Sequence, residues 1–350
     1  MHSPKRKRIL FLLRHRDLRF TDECYSYGTL TSGLLNSARL VADMLRDELR
    51  YEVKIVEVQD SNCVDREVTK FQPDFCIIEA LWVPPAKFKQ LHRLHPRVRF
   101  VVRLHSAMPF GAMEGQFIEW PLDSIKVPNV LLGCNDERTR KEFRALAHLA
   151  GIDPHKVVYL PNYYPAKLHP RTPKTDSTLD VGCFGAVRPL KNQLIQAVAA
   201  VAFAARNQRA LRFHVNSTRL EQNAGPILKN LRSLFSRVPK SALVEHRWLK
   251  RQQFLYLCGT MDIGLHVSMS ETFSIGTADL VTRGVPVVTS GEVPWVDNRY
   301  YAEPSDSQSI LHRINGVLRA PALNVKRNLK GLARYSDHSR VTWGLFIDTM

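Results

Sequence analysis

The chain has 350 residues, of which 44% are hydrophobic and 24% charged. This is long enough for two domains with separate cores, and it excludes disordered and fibrous proteins. No apolar run reaches the length of a membrane-spanning helix, and Ile9 to Leu13 is too short for a signal peptide, so a cytoplasmic protein is expected. The formal net charge of +17 is spread over both halves; it indicates a polyanionic partner, such as nucleic acid, an anionic membrane surface or an acidic glycan, or it serves only solubility.

The first half of the chain alternates apolar runs with amphipathic segments, the pattern of a parallel α/β sheet. Strands are predicted at Ile9 to Leu13, Val53 to Val58, Phe75 to Ile78, Val98 to Leu104, Val130 to Leu132 and Lys156 to Pro161. Helices are predicted after Gly33, from Pro85 to Leu94, and from the expected N-cap Asn135 to a stop at Gly151.

Two features of this half indicate a ligand site. His105 directly follows a predicted strand, and ligands of open α/β sheets bind outside the carboxyl ends of strands; an isolated histidine there is otherwise structural. Gly33 precedes a helix and follows a glycine-bearing loop, an arrangement that presents backbone N–H groups to phosphate. A helix capped by Ser32 or Thr31 fits the same residues.

A proline-rich polar stretch, Pro165 to Ser177, has the composition of an interdomain linker. The predicted organisation is a first domain of residues 1–164, a linker of residues 165–178, a second domain of residues 179–328 and a C-terminal helical segment of residues 329–350.

The second domain repeats the alternation. Strands are predicted at Leu179 to Phe184, Leu211 to Val215 and Leu243 to His246, and helices at Gln193 to Ala205, Pro226 to Phe235, Gln252 to Leu257 and Ser309 to Leu318. Arg188 and Lys191 lie between the first of these strands and its helix. Because the dipole disfavours cations at a helix start, two of them there indicate an anion, and a nucleotide diphosphate fits that geometry.

The stretch from Ile263 to Ser290 predicts a crossover unit of two parallel strands. Its parts are a strand at Ile263 to Val267, a loop at Ser268 to Glu271, a helix from the expected cap Thr272 to Gly284, and a strand at Val285 to Thr289. Glu271 and Asp279, eight positions apart, fall on roughly the same side of the helix. Taken alone, the two acids are equally explained by the helix dipole and a solvated helix face.

With Gly276 between them and GVPVV after them, these acids resemble the signature of the group-one retaining glycosyltransferases of the GT-B fold. The resemblance extends to Ser32–Gly33, to KVVYLPN, and to the spacing from Gly185 to Lys191, in family order along nearly the whole chain. It implies an α/β fold of two Rossmann-like domains with a cleft between them, in which the last helix crosses back to the first domain. Two departures stand out: Asp279 replaces a glutamate, and Ala186 follows Gly185 where the family has an arginine.

The resemblance implies a nucleotide-diphosphate sugar, such as a UDP-sugar, as co-substrate, with no bound cofactor. Transfer of a hexose or pentose would retain configuration by same-face displacement, without a side-chain nucleophile. No DxD motif or His/Cys cluster is present, so no required metal is expected. The resemblance implies catalytic roles for His105 and Glu271, diphosphate binding by Arg188, Lys191 and Gly33, and ribose binding by Asp279. It places Ser270, Thr272, Phe273 and Ser274 in the loop that contacts the donor sugar. Trp248 and Leu249 would lie near the nucleotide base, and the alternative for Trp248 is a tryptophan of the core.

The acceptor remains open. The distributed basic charge favours a polyanion, and hydroxymethylated bases in DNA, modified by a phage-type enzyme in the host cytoplasm, come first. An enzyme of cell-envelope polysaccharide or lipid synthesis, acting at an anionic membrane, is the nearest alternative. A non-catalytic GT-B protein that binds nucleic acid is the alternative from another class. A monomer and a dimer are both compatible with the sequence.

Overall fold

The computed structural model describes residues 6–14, 33–174 and 176–350. The chain divides into two compact units, the first formed by Met1–Tyr164 with Ser336–Met350 and the second by Pro165–Tyr335. Each unit contains one parallel sheet with helices between its strands. The prediction of two Rossmann-like α/β domains is therefore confirmed.

The first unit has a sheet of six strands in the order β2-β1-β3-β4-β5-β6. The strands are β1 (Arg8–Arg14), β2 (Glu52–Val58), β3 (Phe75–Glu79), β4 (Arg99–Leu104), β5 (Val130–Cys134) and β6 (Val157–Tyr159). The helices are α1 (Gly33–Asp47), α2 (Cys63–Phe71), α3 (Pro85–Leu94), α4 (Met108–Gly111), α5 (Glu119–Ile125) and α6 (Glu137–Leu149), with a 3₁₀ turn at Pro154–Lys156.

Successive residues of β1 face opposite sides of the sheet, and both sides are covered. Leu10 and Leu12 belong to one core cluster, and Ile9 and Phe11 belong to the other. Trp343, from the C-terminal part of the chain, is fully buried in the second cluster, with its ring centroid 6.1 Å from that of Phe11. The first unit thus completes its core with residues from both ends of the sequence.

The second unit has a sheet of five strands in the order β11-β10-β7-β8-β9. The strands are β7 (Leu179–Gly182), β8 (Leu211–Asn216), β9 (Ser241–His246), β10 (Ile263–His266) and β11 (Val287–Thr289). The helices are α7 (Gln193–Arg206), α8 (Gly225–Phe235), α9 (Arg251–Gly259), α10 (Ile275–Thr282) and α11 (Ser307–Arg319), with 3₁₀ turns at Pro189–Lys191 and Asn298–Tyr300. The last helix, α12 (Pro321–Thr349), begins in this unit, and its residues from Ser336 onward belong to the first unit. Among the described residues, no helix is long and apolar enough to cross a bilayer.

Two predicted caps are wrong. Helix α10 begins after Ser274, which has φ of 62°, and not after Thr272. Helix α6 is capped by Asp136, whose carboxylate accepts from the Thr139 N–H at 2.9 Å, and not by Asn135. In both cases the residue at the cap position is a polar neighbour of the predicted one. A sequence pattern does not distinguish such neighbouring cap positions.

Candidate functional site

Two loops that follow the neighbouring strands β7 and β10 carry the candidate donor site. Lys191, after β7, donates from Nζ to the carboxylate of Glu271, after β10, and the two side chains are 13% and 12% exposed. The loops also touch through the backbone, since the Met269 N–H donates to the Leu190 carbonyl at 2.8 Å. The site lies at the carboxyl ends of parallel strands, where doubly wound sheets bind ligands.

Backbone conformation and amide side chains fix the position of Lys191. Gly185, with φ of 115°, allows the turn that follows β7. Asn192 donates from Nδ2 to the Val267 carbonyl at 3.0 Å, and Gln196 donates from Nε2 to the Lys191 carbonyl at 2.8 Å. The Asn192 bond and a bond from the Val267 N–H to Gln196 Oε1, at 2.8 Å, join the start of α7 to the end of β10, so Lys191 is held beside Glu271.

The Glu271 carboxylate is the acidic centre of this site. Its burial opposes ionisation, but the positive charges of Lys191 and Arg188 outweigh burial and lower the pKa of the carboxyl. Glu271 is therefore anionic at neutral pH and accepts hydrogen bonds, while Lys191 supplies a cation beside it. This pair can hold a ligand that combines hydroxyl groups with an anionic group.

His266, at the carboxyl end of β10, was not among the predicted site residues because it lies inside an apolar run. Its side chain packs against Gly276, where a Cβ atom would lie 2.9 Å from His266 Cε1. Among the described residues, its Nε2 has no hydrogen-bond partner. Burial and the charge of Lys191 lower the pKa of His266 to about 3, although Glu271 acts in the opposite direction. The His266 imidazole is therefore neutral and lies close to the Lys191–Glu271 pair.

Arg188 and Trp248 lie on a connected polar surface. Arg188 is 3.4 Å from a Glu221 carboxylate oxygen, and the same carboxylate pairs with Arg219 at 2.6 Å. The Arg219 guanidinium lies 4.9 Å from the centroid of the Trp248 ring. Arg219 and Glu221 were not predicted from the sequence, and they connect the predicted phosphate-binding and base-binding residues. The half-buried Leu249 follows Trp248 immediately before α9.

Asp279 is 1% exposed, which excludes the alternative that it lies on a solvated face of the helix. Both of its carboxylate oxygens accept from the Arg251 guanidinium, one of them at 2.6 Å. Arg251 begins α9, directly after the Trp248 and Leu249 segment. The structure thus places the predicted ribose-binding acid in a buried bidentate ion pair that the sequence did not predict.

The predicted donor-sugar loop is covered by protein. Ser270, Thr272, Phe273 and Ser274 are each at most 6% exposed. Thr277 donates from Oγ1 to Ser274 Oγ at 2.8 Å, which ties the loop to the first turn of α10. This loop can offer a nucleotide-sugar donor the backbone N–H groups at the start of α10, because the N-terminal turn of a helix binds anions.

In the first unit, His105 follows β4 and pairs through Nε2 with Glu79, at the end of β3. The fully buried Arg103 donates to both oxygens of Glu79, at 3.1 and 3.2 Å. Burial disfavours the Glu79 carboxylate, but Arg103 and His105 outweigh burial and lower its pKa. Burial and the Arg103 charge lower the pKa of His105, while Glu79 acts in the opposite direction. His105 thus belongs to a network around the buried Glu79 carboxylate, and the network was not predicted.

Gly33 is the first residue of α1 and is exposed, and, apart from its neighbours in the helix, no described residue lies within 4 Å of the place where a Cβ would stand. The residues before it, including Ser32, lie outside the described residues. Gly33 and His105 belong to the first unit, whereas the other predicted site residues belong to the second. Each unit therefore supplies part of the predicted set.

A line of three buried or half-buried groups crosses β7, β8 and β9. Asp180 accepts from His214 Nε2 at 2.9 Å, and His214 Nδ1 lies 2.9 Å from His246 Nε2. Burial and the charge of His214 lower the pKa of His246 to about 4. Because the Nε2–H of His214 donates to Asp180, the Nδ1 of His214 is the acceptor for the Nε2–H of His246. Asp180 thus fixes the tautomer of a histidine two residues before Trp248.

The two depressed histidine pKa values predict a loss of stability in mild acid. In the unfolded chain, His246 and His266 are protonated near their ordinary pKa of 6.5. In the folded protein, His246 is protonated only near pH 4 and His266 only near pH 3. The free energy of unfolding should therefore fall, as pH drops from 6.5 towards 4, by about 1.4 kcal/mol per pH unit for each histidine. Urea denaturation between pH 7 and 4.5 measures this slope.

His266→Asn should flatten the slope by the share of one histidine, whereas His148→Asn, at an exposed position of α6, should leave it unchanged. An unchanged slope in His266→Asn would contradict the buried neutral imidazole.

Among the described residues, no group of three His, Cys, Asp or Glu side chains is arranged to hold a metal ion. The expectation that no metal is required stays a prediction.

No protein-family model matches the sequence, and no curated protein matches it. Solved structures do match, and they place the chain in the GT-B fold class. Sucrose-phosphate synthase from Thermosynechococcus elongatus superposes with a TM-score of 0.71 at 11% identity, over 98% of this chain and 99% of that one. Anabaena Alr3699/HepE in complex with UDP and glucose superposes with a TM-score of 0.62 at 14% identity, over 94% of each chain.

A UDP-forming α,α-trehalose-phosphate synthase from Burkholderia xenovorans superposes with a TM-score of 0.63 at 11% identity, over 89% of this chain and 82% of that one. Identities this low establish the fold and leave the reaction to be argued from the site.

Proposed function

We propose that the protein is a glycosyltransferase that transfers a sugar, with retention of configuration, from a nucleotide-diphosphate donor such as a UDP-sugar. The observation that carries this proposal is the Lys191–Glu271 pair at the carboxyl ends of β7 and β10. It combines a cation for a diphosphate with an ionised acceptor for sugar hydroxyls, where such sheets bind ligands. The UDP and UDP-glucose complexes of the Anabaena neighbour support the choice of donor.

In this proposal, Lys191 stabilises the negative charge that develops on the diphosphate as its bond to the sugar breaks. Arg188 and the N–H groups at the start of α10 add to that stabilisation. Glu271 accepts from sugar hydroxyls and orients the ring, as we also propose for His105. The acceptor oxygen bonds to the anomeric carbon on the face that the diphosphate leaves, and its proton passes to a phosphate oxygen.

Asp279 is proposed to receive the ribose hydroxyls. Both of its oxygens already bond to Arg251, but each carboxylate oxygen can accept more than one hydrogen bond. Arg251 would then hold Asp279, whose side chain is shorter than the glutamate it replaces, in position. The proposed contacts to the base are Trp248 and Leu249.

For the acceptor, a sugar or a sugar phosphate has the most support, because two of the neighbours are by name synthases of sugar phosphates. Hydroxymethylated DNA remains the second candidate, since the net charge of +17 favours a polyanion. No neighbour reported above is named as a DNA-modifying protein. A cytoplasmic location remains part of the proposal.

The test is a thermal-shift panel of nucleotide diphosphates and nucleotide sugars. At a ligand concentration of 100 Kd, a bound donor stabilises the fold by about 2.7 kcal/mol, so one matching nucleotide sugar should raise Tm by several degrees. Glu271→Gln should weaken the shift for the nucleotide sugar more than for the free diphosphate, because Glu271 is assigned to the sugar. Glu245→Gln, on β9 and paired with Arg232, is the control.

If no nucleotide shifts Tm, the donor site is not functional, and the non-catalytic binding protein becomes the better hypothesis. If one does, release of its diphosphate should be measured with sugar phosphates and with hydroxymethylated DNA as acceptors.

A further inference from the structure

A basic cavity lies in the second unit and shares none of its lining with the donor-site residues. Its volume is about 450 Å³. One wall is the segment 294–299, and the other is a face of α12 that carries Arg327, Gly331, Arg334 and Tyr335. Three of these side chains, those of Arg299, Arg327 and Arg334, are guanidinium groups.

Helix geometry places two of the arginines on one face of the cavity. Arg327, Gly331 and Arg334 are spaced four and three residues apart, which puts them on the same side of α12. Gly331 lies between them, where a Cβ would overlap the carbonyl oxygen of Trp295. The glycine therefore allows the helix backbone to touch the opposite wall, and an arginine stands on each side of that contact.

The charges in the cavity are only partly compensated. Asp297 pairs with Arg299 at 2.9 Å. Among residues 6–14, 33–174 and 176–350, Arg327 reaches only the Tyr300 hydroxyl, at 3.5 Å. Within the described part of the chain, Arg334 has no ion-pair or hydrogen-bond partner. The lining thus holds three guanidinium groups against one carboxylate, and two positive charges remain available.

We propose that this cavity binds a small molecule through a dianionic phosphate group. Arginine presents a planar fork of donors that matches phosphate oxygens, and it stays charged at any physiological pH. A cavity of about 450 Å³ is within the range of small-molecule sites and would hold a molecule of the size of a sugar phosphate. Free phosphate and a phosphorylated metabolite share this chemistry, and the experiment separates them.

The aromatic walls of the cavity connect it to the loop that carries Glu271. Trp295 donates from Nε1 to the Phe273 carbonyl at 2.7 Å. The Phe273 ring packs against Trp295 and Tyr335, with centroids 6.0 and 5.2 Å apart. Occupancy of the cavity should therefore change the affinity for the donor, and by linkage the donor should change the affinity for phosphate by the same factor. Only this coupling rests on the proposed function.

The test is calorimetric titration with inorganic phosphate and with glucose 6-phosphate, at constant ionic strength, on the full chain. The wild type and Lys191→Ala should bind alike, because Lys191 does not line the cavity. The double variant Arg327→Gln, Arg334→Gln should lose at least tenfold in affinity, while Lys330→Ala, an exposed charge on the same helix, should not. Tighter binding of glucose 6-phosphate identifies a metabolite, and equal binding identifies free phosphate.

The proposal is overturned if neither probe binds, if the double variant binds as the wild type does, or if binding is lost in Lys191→Ala but kept in the double variant. Thermal denaturation of the unliganded double variant separates loss of the site from loss of the fold. Because no nucleotide takes part in these titrations, phosphate binding can hold where the glycosyltransferase proposal fails, and the reverse.

Discussion

Replacing Lys191 by alanine is expected to lower kcat for release of the nucleoside diphosphate by about 10²- to 10³-fold, the usual effect of removing one preorganised group that stabilises developing charge. The physical reason is that Lys191 lies beside Glu271 at the strand ends where the diphosphate is proposed to leave. The measurement is steady-state kinetics with the nucleotide sugar that stabilises the wild type. KM should change less than kcat, because the negative charge is largest in the transition state.

Lys191→Ala also leaves Glu271 without its main counter-charge, which could lower activity indirectly. Lys191→Ala introduced into a Glu271→Gln background leaves no uncompensated carboxylate and should still lower kcat below that of Glu271→Gln alone. Lys229→Ala, at an exposed position of α8, controls for loss of one positive charge. A Lys191→Ala enzyme with kcat within threefold of the wild type would remove Lys191 from the mechanism.

Replacing Arg103 by methionine is expected to lower the free energy of unfolding by about 3–5 kcal/mol, the typical cost of breaking a buried ion pair from one side. Arg103 is 0% exposed. It binds Glu79 and donates to the carbonyls of Leu160 and Pro161 and to Asn162 Oδ1 at 2.6 Å. Without it, Glu79 loses its guanidinium counter-charge and keeps the contact with His105, and the three oxygens lose a donor. Urea denaturation at pH 7 measures the effect.

Part of that loss should return in the double variant Arg103→Met, Glu79→Gln, because the buried negative charge is then also removed. Arg93→Met, at an exposed position of α3, should change the free energy of unfolding by about 0.5 kcal/mol or less. A loss below 1 kcal/mol in Arg103→Met would show that the network is not closed to water.

The strands and most helices were predictable because both sheets are parallel, and their central strands are short buried apolar runs between polar loops. The edge strands β2 and β9 are less buried and contain charged residues. Helix α3 was predicted with its exact bounds, and β7 was predicted two residues too long. Helix α2 was not predicted, although its buried residues Val64, Val68 and Phe71 follow helical spacing, because nine residues give only a short periodic pattern. The location of the Glu271 loop in the ligand site was predictable, because the carboxyl ends of parallel strands always lie at the same edge of a sheet.

The partners of the site residues were not predictable, because they depend on strand order. Arg251 and Asp279 are separated by 28 residues. The line from Asp180 through His214 to His246 exists only because β7, β8 and β9 are neighbours in that order. Sequence spacing gives no measure of such distances, and each of these residues alone has an ordinary structural explanation.

The burial of Trp343 among the core residues of β1 has a consequence for protein synthesis. Trp343 also donates from its indole N–H to the Pro161 carbonyl at 2.9 Å, so the first unit lacks an interior tryptophan until the ribosome has translated the entire second unit. The second unit is continuous in sequence and can fold as soon as it emerges. The usual order, in which N-terminal domains mature first, should therefore be reversed here: the nascent first unit would wait, with part of its apolar interior uncovered, and would be the part most dependent on chaperones.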